Sequence, residues 1–209
     1  MKKSLILIAT LLISSHLFAQ HTMADLFNGK ANVVFLGVDY TQAKYIGKVG
    51  FTDPDAIKNQ HIVSWNTLIE SESKKFSLAG PLKIKSDKYQ SEVDDMVKLN
   101  KNVDVAGNIT ETEYSISEEQ VRKHVSKYNL SEKDGIGVVY VAESLNKTSE
   151  RFTAWVTFLD LSTRKILLTE RIEAKAGGIG FRNFWAGGVY NINKAIGSKY
   201  YKQWSKANK

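Results

Sequence analysis

A chain of 209 residues, 43% hydrophobic and with only two prolines, Pro54 and Pro81, is long enough to build one domain around an ordinary core. It contains no cysteine, which excludes disulfides, thiolate metal sites, a cysteine nucleophile and the lipidated N-terminal cysteine of a bacterial lipoprotein. The net charge of +7 is unevenly spread: from Asp87 to Glu119 nine acids face three lysines, and from Lys175 to Lys209 seven bases stand without an acid.

The N-terminus reads as an address. Met1-Lys2-Lys3 is a positive n-region, Leu5 to Ile13 an apolar run too short to span a bilayer, and "SSHLFAQ" a polar exit. The expectation is a secretory signal peptide over residues 1–19, cleaved after Ala19, followed by a single α/β domain over 20–209. The mature protein is then periplasmic or secreted, without a lipid anchor, and no later segment has the length of a transmembrane span.

Along the mature chain, "TMADLF" reads as a short capped helical turn and "NVVFLGVDY" (residues 32–40) as a buried first strand. Asp53-Pro54 matches an N-cap followed by proline at the first helical position. The helix it opens, residues 54–74, carries Ile57, His61, Trp65, Leu68 and Ile69 on one face. Further on, "PLKIKS" reads as a short strand, "YQSEVDDMVKLN" as a helix, and "VDVAGNITETEYSI" as a strand or extended loop. Ser117-Glu118-Glu119-Gln120 has the form of a capping box and starts a helix ending near Tyr128.

The last third has clearer periodicity. Residues 135–145, 151–161 and 165–176 read as strands, and "DLSTRK" between the last two is a compact polar turn, so an antiparallel hairpin is expected. Phe181, Trp185, Val189, Ile192, Ile196 and Tyr200 recur at spacings of three and four, the stripe of an amphipathic helix. Gly177-Gly178-Ile179-Gly180 precedes that helix without completing G-x-G-x-x-G or supplying Gly-Lys-Ser/Thr. These glycines read as a corner, and Gly187-Gly188 as a place where the helix approaches the sheet.

A hairpin turning on Asp160, Thr163, Lys165 and Leu167, then Gly177-Gly178, then a closing helix resembles several bacterial envelope modules. These are the N-terminal domain of TolB, the periplasmic domain of the curli secretion channel, and outer-membrane lipoproteins that activate peptidoglycan synthases. The resemblance spans residues 117–196 and departs from the lipoproteins in lacking their cysteine. It implies a mixed sheet with helices packed on it, serving as an interaction or assembly module, and carries over no catalytic residue.

The residues hold no H-E-x-x-H, no G-x-S-x-G and no other motif for a metal or cofactor, so none is expected. His21, His61 and His124 are isolated in sequence. The sites expected to meet a partner are the cations and aromatics of the last helix: Lys194, Lys199, Tyr201, Lys202, Trp204 and Lys206. Cations beside aromatics suit an envelope protein or an anionic envelope polymer, whereas an exported protein has little access to nucleic acid. The alternatives are a solvated helix face that serves solubility, and a periplasmic hydrolase whose residues meet only on folding. A pocket joining His61 or His124 to carboxylates would favour the hydrolase.

Overall fold

The computed structural model describes residues 20–131 and 133–208. The signal segment expected over residues 1–19 lies outside the described residues. In chain order the elements are α1 (Met23–Phe27), β1 (Val33–Asp39), β2 (Lys44–Ile46), α2 (Pro54–Ala56), α3 (Ile62–Ser71), α4 (Ser73–Phe76), β3 (Tyr89–Ser91), α5 (Asp94–Asn100), β4 (Ile109–Thr110), α6 (Glu118–Val125), β5 (Ile136–Asn146), β6 (Arg151–Asp160), β7 (Ile166–Lys175), α7 (Phe181–Ala195) and α8 (Tyr201–Ala207). A π-turn over Ile57–His61 joins α2 to α3, and a second over Ile196–Tyr200 joins α7 to α8, so each pair is one long helix.

The strands form one seven-stranded mixed sheet. On one side of β5, β1 runs parallel to Ile136–Val141 and β2 continues in line, parallel to Ser144–Asn146. Outside these, β3 extends β1 and β4 extends β2, both parallel. On the other side, β6 and β7 follow as the antiparallel hairpin expected from "DLSTRK". Strands β1 and β5 are buried along their whole length, as their continuous apolar runs require of strands covered on both faces.

Each face has its own core. Ile62, Trp65 and Ile69 of α3 and Trp185, Val189, Ile192, Ile196 and Trp204 of α7–α8 pack with Phe35, Val38, Tyr140, Phe152, Val156 and Phe158. Val121 and Val125 of α6, with Met96 of α5, pack with Val34, Leu36, Val139, Val141, Trp155 and Leu159 on the opposite face. Trp155 therefore lies in the layer that α6 covers. Both anticipated caps form: Asp53 Oδ1 accepts from Ala56 N–H at 2.9 Å, while Ser117 Oγ and Gln120 Oε1 accept from each other's N–H groups at 3.2 and 2.8 Å.

Two expectations are corrected. "PLKIKS" forms no strand; Leu82 N–H donates to Leu78 O and Ile84 N–H to Ala79 O, closing turns that bury Leu82 beneath the helix layer. "YQSEVDDMVKLN" is helical only from Asp94, because Tyr89–Ser91 instead pairs with the edge of β1. Residues 103–116, read as a strand or extended loop, hold a two-residue strand, β4, in a loop that also makes a 3-10 turn at Ala106–Asn108.

The glycine patch is a packing device. A Cβ on Gly187 would stand 1.9 Å from Gly177 O, and one on Gly188 would stand 2.5 Å from Phe152 Cβ. The helix thus lies directly against the turn that leads into it and against β6.

Candidate functional site

The C-terminal helix separates its residues by depth. Lys194, Lys199, Lys202 and Lys206 are exposed, and no carboxylate among the described residues lies within ion-pair distance of any of them. Lys194 and Lys199 lie over the rings of Tyr190 and Tyr200, at 5.7 and 4.6 Å from the centroids. Tyr201 is half-buried, edge-on to Phe27 at 5.5 Å and capped by Lys83 at 4.9 Å. Trp204 was expected at the surface beside the lysines, but it is only 4% exposed. Its ring stands edge-on to Phe158 at 5.3 Å and its Nε1–H points to Glu170 Oε2 at 3.3 Å. The π-turn inserts one extra residue before α8, which changes the phase of the stripe and brings Trp204 onto the core face.

A buried polar cluster, invisible in the sequence, occupies the carboxyl end of β1. A bulge between Phe35 and Gly37 re-phases the strand, and Asn66 holds the bulged region by bonding Val38 through both N–H and C=O. Asn100 adds bonds to Tyr40 N–H and Val38 O. Asp39 thereby points toward α6 and is wholly buried. Its Oδ1 accepts from Thr41 N–H and Oγ1, each at 2.7 Å, and its Oδ2 accepts from His124 Nε2 at 2.6 Å and from the Tyr128 hydroxyl. Burial acts to raise the Asp39 carboxyl pKa, but the bonds and charge of His124, with Tyr128 and Thr41, outweigh it and hold it below its ordinary value. Burial and the neighbouring Asp39 charge push the Tyr128 hydroxyl well above its usual range.

This cluster contains a hydroxyl, an imidazole and a carboxylate, yet its wiring differs from that of a nucleophilic triad. A triad needs one imidazole nitrogen on the carboxylate and the other on the hydroxyl. Here Nε2 faces both Asp39 and Thr41 Oγ1, the latter at 3.2 Å, and the Thr41 hydroxyl already donates to Asp39. Nε2 carries its proton toward an acceptor-only carboxylate, so it has no lone pair with which to activate Thr41. The arrangement ties α6 to the end of β1.

A second buried carboxylate, Glu143 at the bulge of β5, is equally committed. It accepts from Arg171 Nε and Nη2, from Trp155 Nε1–H at 3.0 Å and from Ile116 N–H at 3.2 Å. Asp160, first residue of the hairpin turn, accepts from Thr163 N–H and Oγ1, from Ser162 Oγ and from His21 N–H at 2.7 Å. The turn residues Asp160 and Thr163 therefore act by closing the hairpin and tying down the N-terminal segment.

His61 borders a cleft of about 200 Å³ lined also by Gly50, Thr52, Asp53, Ala56, Ile57 and Phe181. Its ring stacks on Trp65 and leans on Phe181, with centroids 6.0 and 4.8 Å away, and burial lowers its pKa against the opposing charge of Asp53. Asp53 already caps its helix through Ala56 N–H. Among the described residues no group of three or more His, Asp or Glu side chains is placed to hold a metal ion, and no helix is long and apolar enough to cross a membrane.

No protein-family model matches the chain, and no curated protein or solved structure matches it either.

Proposed function

We propose that this is an exported, non-lipidated module of the bacterial cell envelope that works by binding, and that its partner is an envelope protein or an anionic envelope polymer. The observation that carries the reading is the face formed by Lys194, Lys199, Lys202 and Lys206, exposed and without carboxylate partners among the described residues, on a helix whose other side is fixed in the core. An unpaired row of cations is a poor stabiliser of its own fold, since like charges repel, but it attracts an anionic surface over the range that salt allows. The internal saturation of Asp39, Glu143 and Asp160 supports binding over hydrolysis, because each has its hydrogen-bonding capacity engaged by the scaffold. The order of hairpin, glycine corner and closing helix, on which the likeness to envelope modules rests, adds to the same reading.

The test is co-sedimentation of the purified protein with isolated envelope fractions, alongside fractionation of the producing cells. The protein should be found outside the cytoplasm with a mass beginning at or near Gln20, and it should sediment with the envelope at low salt. A cytoplasmic protein retaining Met1 to Ala19 would refute the export reading.

A further inference from the structure

Strand β7 pairs on one side only. Its inner edge forms the ladder with β6, and among the described residues no strand pairs with its outer edge. The ladder reveals which backbone groups face outward. Ala176 N–H donates to Glu150 O, so the 150/176 pair is one that bonds across the ladder, and the alternate residues Lys175, Glu173, Arg171 and Thr169 turn their N–H and C=O groups away from β6. Two contacts agree with this phase. The hydroxyls of Thr157 and Thr169 are 2.8 Å apart, as side chains are in the closer, non-bonded pairs, and Lys175 O takes its donor from the Asn191 side chain.

Of the side chains at these outward positions, those of Arg171, Glu173 and Lys175 are exposed. Arg171 commits Nε and Nη2 to Glu143, leaving Nη1 without an acceptor among the described residues. Among the described residues Glu173 has Arg151 Nε alone as an ion-pair partner, at 3.8 Å. An edge with open backbone groups is a template for strand addition, and it recruits a copy of itself most readily where its charges are self-complementary.

We propose that the outer edge of β7 pairs antiparallel with the same edge of a second copy of this chain, about a two-fold axis at Ile172, so that Arg171 of each copy faces Glu173 of the other. A two-fold axis perpendicular to the sheet keeps every residue on its own face, and outward groups can bond only to outward groups. Charge then selects the register. An axis at Arg171 opposes two arginines. One at Glu173 opposes two glutamates and sets Arg171 against Lys175. One at Glu170 sets Arg171 against Thr169, with no ion pair. One at Ala174 would set Glu173 against Lys175, but the Lys175 carbonyl is already taken by the Asn191 side chain at 2.8 Å, so the bonded pair beside that axis cannot close. The axis at Ile172 makes two Arg171–Glu173 pairs and extends the sheet across both copies, and opposite charges directly across a strand pair are favourable where like charges are not.

Sedimentation equilibrium over a concentration series, with amide hydrogen exchange at the same concentrations, tests this. The wild-type protein should move toward twice the chain mass as concentration rises, and the amides of Arg171 and Glu173 should slow in step. Glu173→Arg places an arginine opposite each Arg171 and should remain monomeric, with the urea midpoint that wild type shows at concentrations where it too is monomeric. Glu173→Pro deletes an outward N–H and no bond of the β6 ladder, and should also remain monomeric. Glu173→Gln, which loses attraction without adding repulsion, should still dimerise, though less strongly. A protein monomeric throughout, with both amides exchanging at exposed rates, would overturn the proposal. So would a dimer of undiminished strength in Glu173→Arg, or protection of the edge only when a different extended peptide is added.

Discussion

Replacing Gly187 by alanine tests whether the glycine pair in α7 exists for close packing. In an exposed helix interior the change would stabilise by about 1 kcal/mol, because alanine is the better helix former. At this position the new Cβ would stand 1.9 Å from Gly177 O and 3.0 Å from Gly177 C, both backbone atoms that cannot rotate aside. Separation to van der Waals contact needs a shift of more than 1 Å between the helix and its lead-in turn, an overpacking cost of roughly 3 kcal/mol. The same shift strains the Gly177 N–H to Phe184 O bond, 2.9 Å long, whose loss costs about 1 kcal/mol. The sum is a net loss of about 3 kcal/mol, or a fall in Tm of roughly 6 to 12 °C for a domain of this size. Gly197→Ala in the same long helix is the comparison, since its nearest neighbour is Pro81 Cα at 3.2 Å; it should stay within about 1 kcal/mol of wild type. Urea unfolding followed by circular dichroism reads both. A Gly187→Ala protein as stable as wild type, or more so, would refute the packing argument.

Truncating Trp185, 1% exposed and stacked on Phe51 at 5.4 Å, to alanine should cost about 3 to 5 kcal/mol in the same assay; a loss under 1 kcal/mol would place the stripe outside the core. Asp39 governs a pH dependence. Its folded pKa is depressed, so the stability it contributes is complete above the unfolded value near 3.9 and is lost as pH falls through the folded value, a window below about pH 4. Asp39→Asn should cost about 3 to 5 kcal/mol at neutral pH and flatten the acid limb of a stability profile, leaving the parts due to Asp160 and Asp25, whose pKa values are also lowered. A profile for Asp39→Asn with the wild-type slope below pH 4 would contradict that assignment. Glutamine at Lys194, Lys199, Lys202 and Lys206 should leave the urea midpoint nearly unchanged, because exposed charges contribute little.

The fold was legible wherever a residue's local pattern and its tertiary role coincide. The hairpin, the capped helices and the buried stripe of α7 could be read because alternation, caps and spacing of three and four are local properties. Strands β2 and β3 escaped because three residues carry no period, and they exist only through pairing with β5 and β1; the two-residue β4 falls within the stretch read as a strand or extended loop. The buried Asp39 cluster was hidden for a different reason. His124 and Tyr128 lie 85 and 89 residues from Asp39, and the strand turns Asp39 toward them through a bulge that has no sequence signature beyond Gly37. Trp204 was misplaced for a related reason, since a π-turn shifts the helical phase by one residue and simple counting from Trp185 cannot anticipate it. The exposed lysines were foreseen because an acid-free run of bases on one helix has nowhere to go except solvent.

The most direct test of the binding account is a titration of the wild-type protein and the Lys194, Lys199, Lys202 and Lys206 to glutamine variant with the anionic polymer fraction of the envelope, over a range of salt concentrations. The account predicts that wild-type affinity falls steeply as salt rises, and that the variant, folded as stably as wild type, binds weakly at every salt concentration with a much shallower dependence. Equal affinity of the two proteins, maintained at high salt, would contradict the claim that this lysine face is the binding surface.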